Sequence, residues 1–387
     1  MPLNPNIEAL ARMAAVRPQW TAVRDARSAL GLEGRVLLHA GPALADPSRP
    51  PRPMLNSAVL SCLHEGWASG ETEAEKMLAD GAVRLEPSYT RSVSTPLVAM
   101  VSPRTTLAEI ADGERRYYSF LGTGAGAQQR FGSRDQAILE RLEFRERILA
   151  NGFRELLQAP VDLLAIARAA IREGDDLHNR LSSATTLLHA LLGTRGGESE
   201  ESRTALRTVL EAPLYFLNVW MPACQLMLLA AEGVPGCTLV TRVCANGENV
   251  GVQVAAHPGR WFTHAAPRVR GPFMKGAPEN PEFGPATGDS GVIDAFGLGG
   301  QGLRHAPSLQ GAFAQWLEKD DDARARSMLA GFHPILDTPF ALDAAAVAKT
   351  GRSPLLSTGM VSADGRGLLG RGICALPSAL FKEAIAG

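Results

Sequence analysis

Between Asp135 and Glu232 apolar residues recur at three- and four-residue spacing with few breaks, and on both sides of that interval the pattern reverts to short apolar runs cut by Gly and Pro. The first spacing lays one apolar stripe along a helix, whereas short runs bounded by turn residues suit strands. The fold class expected is therefore α+β: irregular α/β N- and C-terminal domains over residues 1–134 and 234–387, and a helical middle domain over 135–233. A chain of 387 residues is also longer than one average core organises.

Within the first part, residues 36–40 read as a buried strand stopped by Gly41-Pro42, and 97–101 and 117–121 as further strands. A proline-rich loop is expected over 42–53, then helices over 58–69 and 71–80. The middle predicts helices over 138–157, 161–172, 176–192, 202–210 and 215–232. Residues 237–244 and 250–255 predict a hairpin closed at Asn246-Gly247, both of which tolerate positive φ. Residues 267–291, rich in Gly and Pro, predict a long ordered loop.

Composition removes several function classes. Lys and Arg number 39 against 40 Asp and Glu, a net charge of −1 without a basic cluster, so nothing is available to hold a nucleic-acid backbone or an anionic bilayer. Residues 1–15 carry none of the features of a signal peptide, and a cytoplasmic location is expected. The apolar stretch 214–231 approaches the length of a membrane span but contains Asn218, Pro222 and Gln225, which fits a buried central helix better. Five cysteines without a C-x-x-C pair, and eight histidines without ligand spacing, predict reduced thiols and no metal site.

The segment richest in chemistry is Gly174-Asp175-Asp176-Leu177-His178-Asn179-Arg180-Leu181. Placed on a helix, Asp175, His178, Asn179, Ser182, Thr185, Thr186 and His189 form a polar stripe that is almost uncharged after its first residue. Such a stripe lines a polar cavity more naturally than a solvated face, and Asp175 could orient His178 as an acid or base. A plainer account also fits: Asp175 or Asp176 caps the helix, and Asp176 pairs with Arg180. Asn218 and Gln225 share one face of the most apolar helix, and their amides must be hydrogen-bonded, to another helix or in the same pocket as His178. The turns 122–126, 288–291 and 297–302 could offer backbone N–H groups to an anion, with Arg130 close to the first, or could simply permit tight turns. No Ser-His-Asp order is legible.

Taken in order, many segments resemble the AllG (YlbE-like) family. They are Leu37-Leu38-His39-Ala40-Gly41-Pro42, Glu65-Gly66-Trp67-Ala68, Arg130-Phe131-Gly132, the 174–180 segment, Phe216-Leu217-Asn218, Asn246-Gly247, Arg260-Trp261-Phe262-Thr263, Gly288-Asp289-Ser290, Phe296-Gly297-Leu298-Gly299-Gly300 and Ser357-Thr358-Gly359. The likeness runs from about Val36 to Pro377. It implies a subunit of oxamate carbamoyltransferase, which acts with other subunits in allantoin and purine catabolism and converts oxalurate and phosphate into oxamate and carbamoyl phosphate. It requires no organic cofactor or metal. A homo-oligomer is compatible with it.

That reaction brings two anions together, so it needs cations and fixed donors. The residues implied are His178, Asp175 and Asp176 for catalysis, and Arg130, Asn179, Arg180, Asn218, Asp289, Ser290, Gly299 and Gly300 for substrate and anion binding. The chain departs from the family pattern at Asp176 and Asp294, where Glu is usual, at Leu181, where Asn is usual, and in a longer loop over 267–285. A related ureido or amide substrate is compatible with those departures. Two alternatives come from other classes: a non-catalytic assembly or metabolite-binding subunit, and a hydrolase of a ureido or amide bond that uses water in place of phosphate.

Overall fold

Every side chain from Leu217 to Leu228 is buried, and this is the element around which the rest is arranged. A helix that is apolar all round can be stable in water only when covered on all sides. In the computed structural model, which describes residues 4–387, Leu217–Leu229 packs on Thr106–Asp112 and Arg115–Phe120 and also on Val240–Asn246 and Gly291–Phe296. Its two amides are satisfied separately. Asn218 Nδ2 donates to the Tyr215 carbonyl at 2.9 Å, and Gln225 Nε2 to the Thr241 carbonyl of the adjacent strand at 2.9 Å. No helix among the described residues is long and apolar enough to cross a membrane.

The fold is α+β. One sheet has the spatial order Val93–Ser94, Arg115–Phe120, Thr106–Asp112, Gln19–Asp25, Val161–Asp162, antiparallel except at its first pair. A second has the order Phe262–Ala265, Asn249–Val254, Val240–Asn246, Thr287–Gly288. A parallel pair, Val36–His39 with Arg84–Pro87, is connected through the helices Arg52–His64 and Glu71–Ala79. The hairpins Leu329–His333 with Thr338–Leu342, and Leu355–Val361 with Leu368–Ala375, are followed by the helices Ala344–Thr350 and Ser378–Ala386 respectively. One apolar core runs from Ala9 to Ala384 and draws on the helices of 135–233 as well as on both flanking segments. Among the described residues, the only strand inside 135–232 is Val161–Asp162.

Several local expectations change, each for a visible reason. The helix expected to begin at Asp176 begins at Ser182, because Leu177 sits at φ 60° and the Asp176 carboxylate takes the N–H groups a helix would use. Residues 97–101 form a turn instead of a strand, with Leu97 at φ 51° and a lone bridge between Val101 and Leu38. The helix expected over 58–69 runs Arg52–His64, with a proline in its first turn where the missing N–H costs nothing. Val161–Asp162 is strand, and Asp162 then caps Leu163–Arg172 through the N–H groups of Leu164 and Ala165. The hairpin at Asn246-Gly247 forms between Val240–Asn246 and Asn249–Val254, with Gly247 alone at positive φ and the Asn246 side chain accepting from the N–H groups of Glu248 and Asn249.

Asp289 fastens the N-terminal loops to the second sheet. Its Oδ1 accepts from Gly41 N–H at 2.8 Å, and its Oδ2 from the Ser88 hydroxyl at 2.7 Å and Thr95 N–H at 2.8 Å. Burial pushes this carboxyl above the usual range even so. Asp289→Asn places an amide N–H₂ against donors, and a buried charged hydrogen-bond group disrupted in this way costs about 3 kcal/mol. The urea midpoint is expected to fall accordingly with the denaturant slope unchanged; an unshifted midpoint would remove Asp289 as the fastening.

Candidate functional site

The site is built from the loop that replaces the start of the expected helix. Asp176 Oδ1 accepts from the N–H groups of Asn179 at 3.0 Å and Arg180 at 2.7 Å, with a longer contact to His178 N–H at 3.3 Å. Its Oδ2 accepts from Asn179 Nδ2 at 2.8 Å. Wrapped around one carboxylate, residues 177–180 have a fixed shape, and that shape turns His178 and Asn179 toward a cavity of about 70 Å³.

His178 is oriented by a residue that the sequence reading passed over as a site residue. Asp294, in the short helix Gly291–Phe296, lies with Oδ2 3.0 Å from His178 Nδ1, a charge contact and not a well-aligned hydrogen bond. Asp294 is itself fixed by Gly300 N–H at 2.7 Å and Ser357 N–H at 3.2 Å. Burial works against a charge on His178, but the Asp294 carboxylate outweighs it and Asp176 adds to the effect, so the imidazole titrates above its ordinary value. Holding Nδ1 against Asp294 leaves Nε2 as the nitrogen for the cavity. Gly299 makes this approach possible: a Cβ there would lie 2.6 Å from Asp294 Oδ1 and 2.9 Å from His178 Nδ1.

Two arginines face the same cavity. Arg130 is half-buried, and its Nε–H has no acceptor. Burial and the neighbouring Arg371 lower its pKa to about 10. Arg371, on the strand Leu368–Ala375, is exposed along the cleft and donates through Nη1 to the Asn179 carbonyl at 3.0 Å. Its pKa is also lowered by burial, with Asp176 opposing. Neither arginine forms an ion pair among the described residues. Ser290 and Thr358 add hydroxyls, and Leu97, Phe131, Leu217 and Leu368 form an apolar wall. Asn179 spends both amide N–H donors on Asp176 and Ser357, so Oδ1 is the atom it can offer a ligand. Through Asn179, Leu214 and Arg371 the cavity continues into an outer cleft of about 390 Å³.

Of the residues expected at a site, His178, Asn179, Arg130 and Ser290 line the cavity. The others have partners elsewhere. Asp175 is fully buried outside it, accepting from Arg180 Nη1 and Ala184 N–H, both at 2.8 Å, while burial raises its pKa to about 6. Arg180 is thereby partnered and lines only the outer cleft. Asp176 shapes the loop, Asn218 closes on its own turn and Asp289 fastens distant loops, so none of the three faces the cavity. The Gly299-Gly300 turn does pack against His178, but its N–H groups are taken by the Asp176 carbonyl and the Asp294 carboxylate. The anion this turn receives is the protein's own. Arg371 and Asp294 are the residues that sequence reasoning missed. Asp294 gave one signal, as the lone acid among Val292, Ile293, Ala295 and Phe296. No cluster of three or more metal-ligating side chains occurs among the described residues.

Comparison with known proteins adds three findings. The family model described as oxamate carbamoyltransferase subunit AllG matches residues 83–290. Among curated proteins, the oxamate carbamoyltransferase subunit AllG of Escherichia coli K12 is 28% identical, over 98% of this chain and 96% of that one. The uncharacterized protein YahG of the same organism is 26% identical, over 99% and 85%. A crystal structure of a conserved protein of unknown function from Enterococcus faecalis V583 superposes with a TM-score of 0.90 at 23% identity, covering 99% of this chain and 96% of that one; at that identity it supports the fold alone.

The raised pKa of His178 has a definite sign in stability. A histidine whose folded pKa lies above the unfolded value of about 6.5 contributes stability that is complete below that value and is lost as pH rises through the folded one. The difference in urea midpoint between the wild type and His178→Gln should be widest below the unfolded value of about 6.5 and narrow as pH rises above it. A difference independent of pH would show that the charged pair with Asp294 does not exist in solution.

Proposed function

The chain belongs to the AllG family, and on that footing we propose that it is the site-bearing subunit of a carbamoyltransferase that moves a carbamoyl group between a small ureido acid, such as oxalurate, and phosphate. The observation that carries this reading is the His178–Asp294 pair at 3.0 Å, opening on a cavity that two unpaired arginines also face. In phosphorolysis a phosphate oxygen attacks the carbamoyl carbon and the carbon–nitrogen bond breaks. The departing nitrogen then needs a proton. His178, whose pKa the Asp294 carboxylate raises against the effect of burial, is a suitable donor through Nε2, and Asp294 stabilises the charge it carries before transfer.

The remaining groups suit the same chemistry. Arg130 and Arg371 offset the repulsion between two anionic reactants and the negative charge that grows on the tetrahedral intermediate. Asn179 Oδ1 can accept from the carbamoyl N–H₂ and so fix which face of the carbon is presented. The apolar wall limits water, which favours transfer to phosphate over hydrolysis. The related Escherichia coli protein is described as a subunit, and this chain is accordingly expected to work together with further subunits.

The test is carbamoyl phosphate formation from oxalurate and phosphate by the chain assembled with its partner subunits. His178→Gln should lower kcat by about 10²–10⁴-fold, the usual worth of a positioned acid or base. Asp294→Asn should also lower it and move the pH profile toward acid. Oxalurate cleavage that proceeds at the same rate without phosphate would make the enzyme a hydrolase, and unchanged turnover in His178→Gln would remove the proposed acid.

A further inference from the structure

The inner cavity is too small for both reactants at once. A volume of about 70 Å³ holds roughly five to seven water-sized groups. A phosphate ion fits that space, whereas a ureido acid or carbamoyl phosphate, about half again to twice its size in heavy atoms, must extend beyond it. The available extension is the outer cleft of about 390 Å³, reached past Asn179, Leu214 and Arg371.

We propose that the inner cavity is a subsite for one tetrahedral oxyanion, phosphate or the phosphoryl end of a small phosphate compound, and that the organic half of the substrate lies in the outer cleft. Charge is the first support. Arg130 and Arg371 repel each other and form no ion pair among the described residues; with Asp294 matched to His178, and Asp176 opposing only part of the Arg371 charge, the arginines at the cavity are not fully met by carboxylates. A phosphate, with more than one negative charge near neutrality, answers this better than a carboxylate.

Geometry is the second. The donors reach the cavity from separate elements: Arg130 from the turn Gln129–Phe131, Arg371 from Leu368–Ala375, His178 from the 174–181 loop, and the Ser290 hydroxyl from the start of the helix Gly291–Phe296. Donors on several sides suit a tetrahedral ion; a planar carboxylate is satisfied by one arginine fork. The unmet Arg130 Nε–H is a third support, since a buried donor without an acceptor is costly until a ligand supplies one. Arg371, shared by the cavity and the cleft, lies where the phosphate and the organic half would meet.

The proposal rests on the carbamoyl-transfer reading for its reaction but not for its binding, and the two fail separately. Calorimetry on the full chain is run with inorganic phosphate, sulfate and acetate. Phosphate and sulfate should bind, and acetate at least about tenfold more weakly. Arg371→Ala, which truncates an exposed side chain, and Arg130→Ala should each weaken phosphate at least about tenfold; Arg371→Lys should lose less. Arg268→Ala, at an exposed arginine over Phe283, serves as the control and should change nothing. Equal affinity for acetate, no heat from phosphate with a folded chain, or full affinity in Arg371→Ala would overturn the subsite. Phosphate binding by a protein that never forms carbamoyl phosphate would uphold the subsite and sink the reaction.

Discussion

A carboxylate taken out of water must find donors inside the protein, and in this chain that requirement organises the segments that have no regular structure. Asp176 gathers the N–H groups of its own loop, Asp289 ties Gly41, Ser88 and Thr95 to the second sheet, and Asp294 draws together Gly300, Ser357 and His178. Each acid replaces a hydrogen-bond ladder that the local backbone cannot form. The cavity lies among structures held in this way, so its shape follows from the same desolvation cost that fixes the loops.

The same economy separates what was legible in the sequence from what was not. Helices and strands with a clear period could be read, including the buried character of Leu217–Leu229 and the hairpin at Asn246-Gly247. His178 and Asn179 stood out because polar residues interrupt an apolar pattern. What misled was Asp176: helical spacing continues through 174–181, but a side chain competing for backbone N–H groups leaves no trace in hydrophobic period. The roles of Arg371 and Asp294 were hidden for another reason. Their partners lie far off in the chain, Asn179 for the first and His178 for the second, and only the packed structure brings them together.

The site also shows a local conflict with stability. Two mutually repelling arginines, a buried N–H without an acceptor and a leucine at φ 51° in the lining are features that a chain selected only for stability would lose. All of these residues line the cavity, whereas the buried carboxylates that support it, Asp176 and Asp289, each meet several donors. Two cations without carboxylate partners facing one small space are what a binding site requires and a core does not.

The covering of Leu217–Leu229 has a consequence for how the protein is made. On the ribosome this segment emerges after the strands Thr106–Asp112 and Arg115–Phe120 but before Val240–Asn246 and Gly291–Phe296, which shield its other side. At roughly 5–20 residues per second, one flank of the most apolar helix is without its native cover for several seconds of synthesis. During that interval it can adhere to other nascent chains, so yield in a cell depends on chaperone capacity and translation speed as well as on the stability of the finished fold.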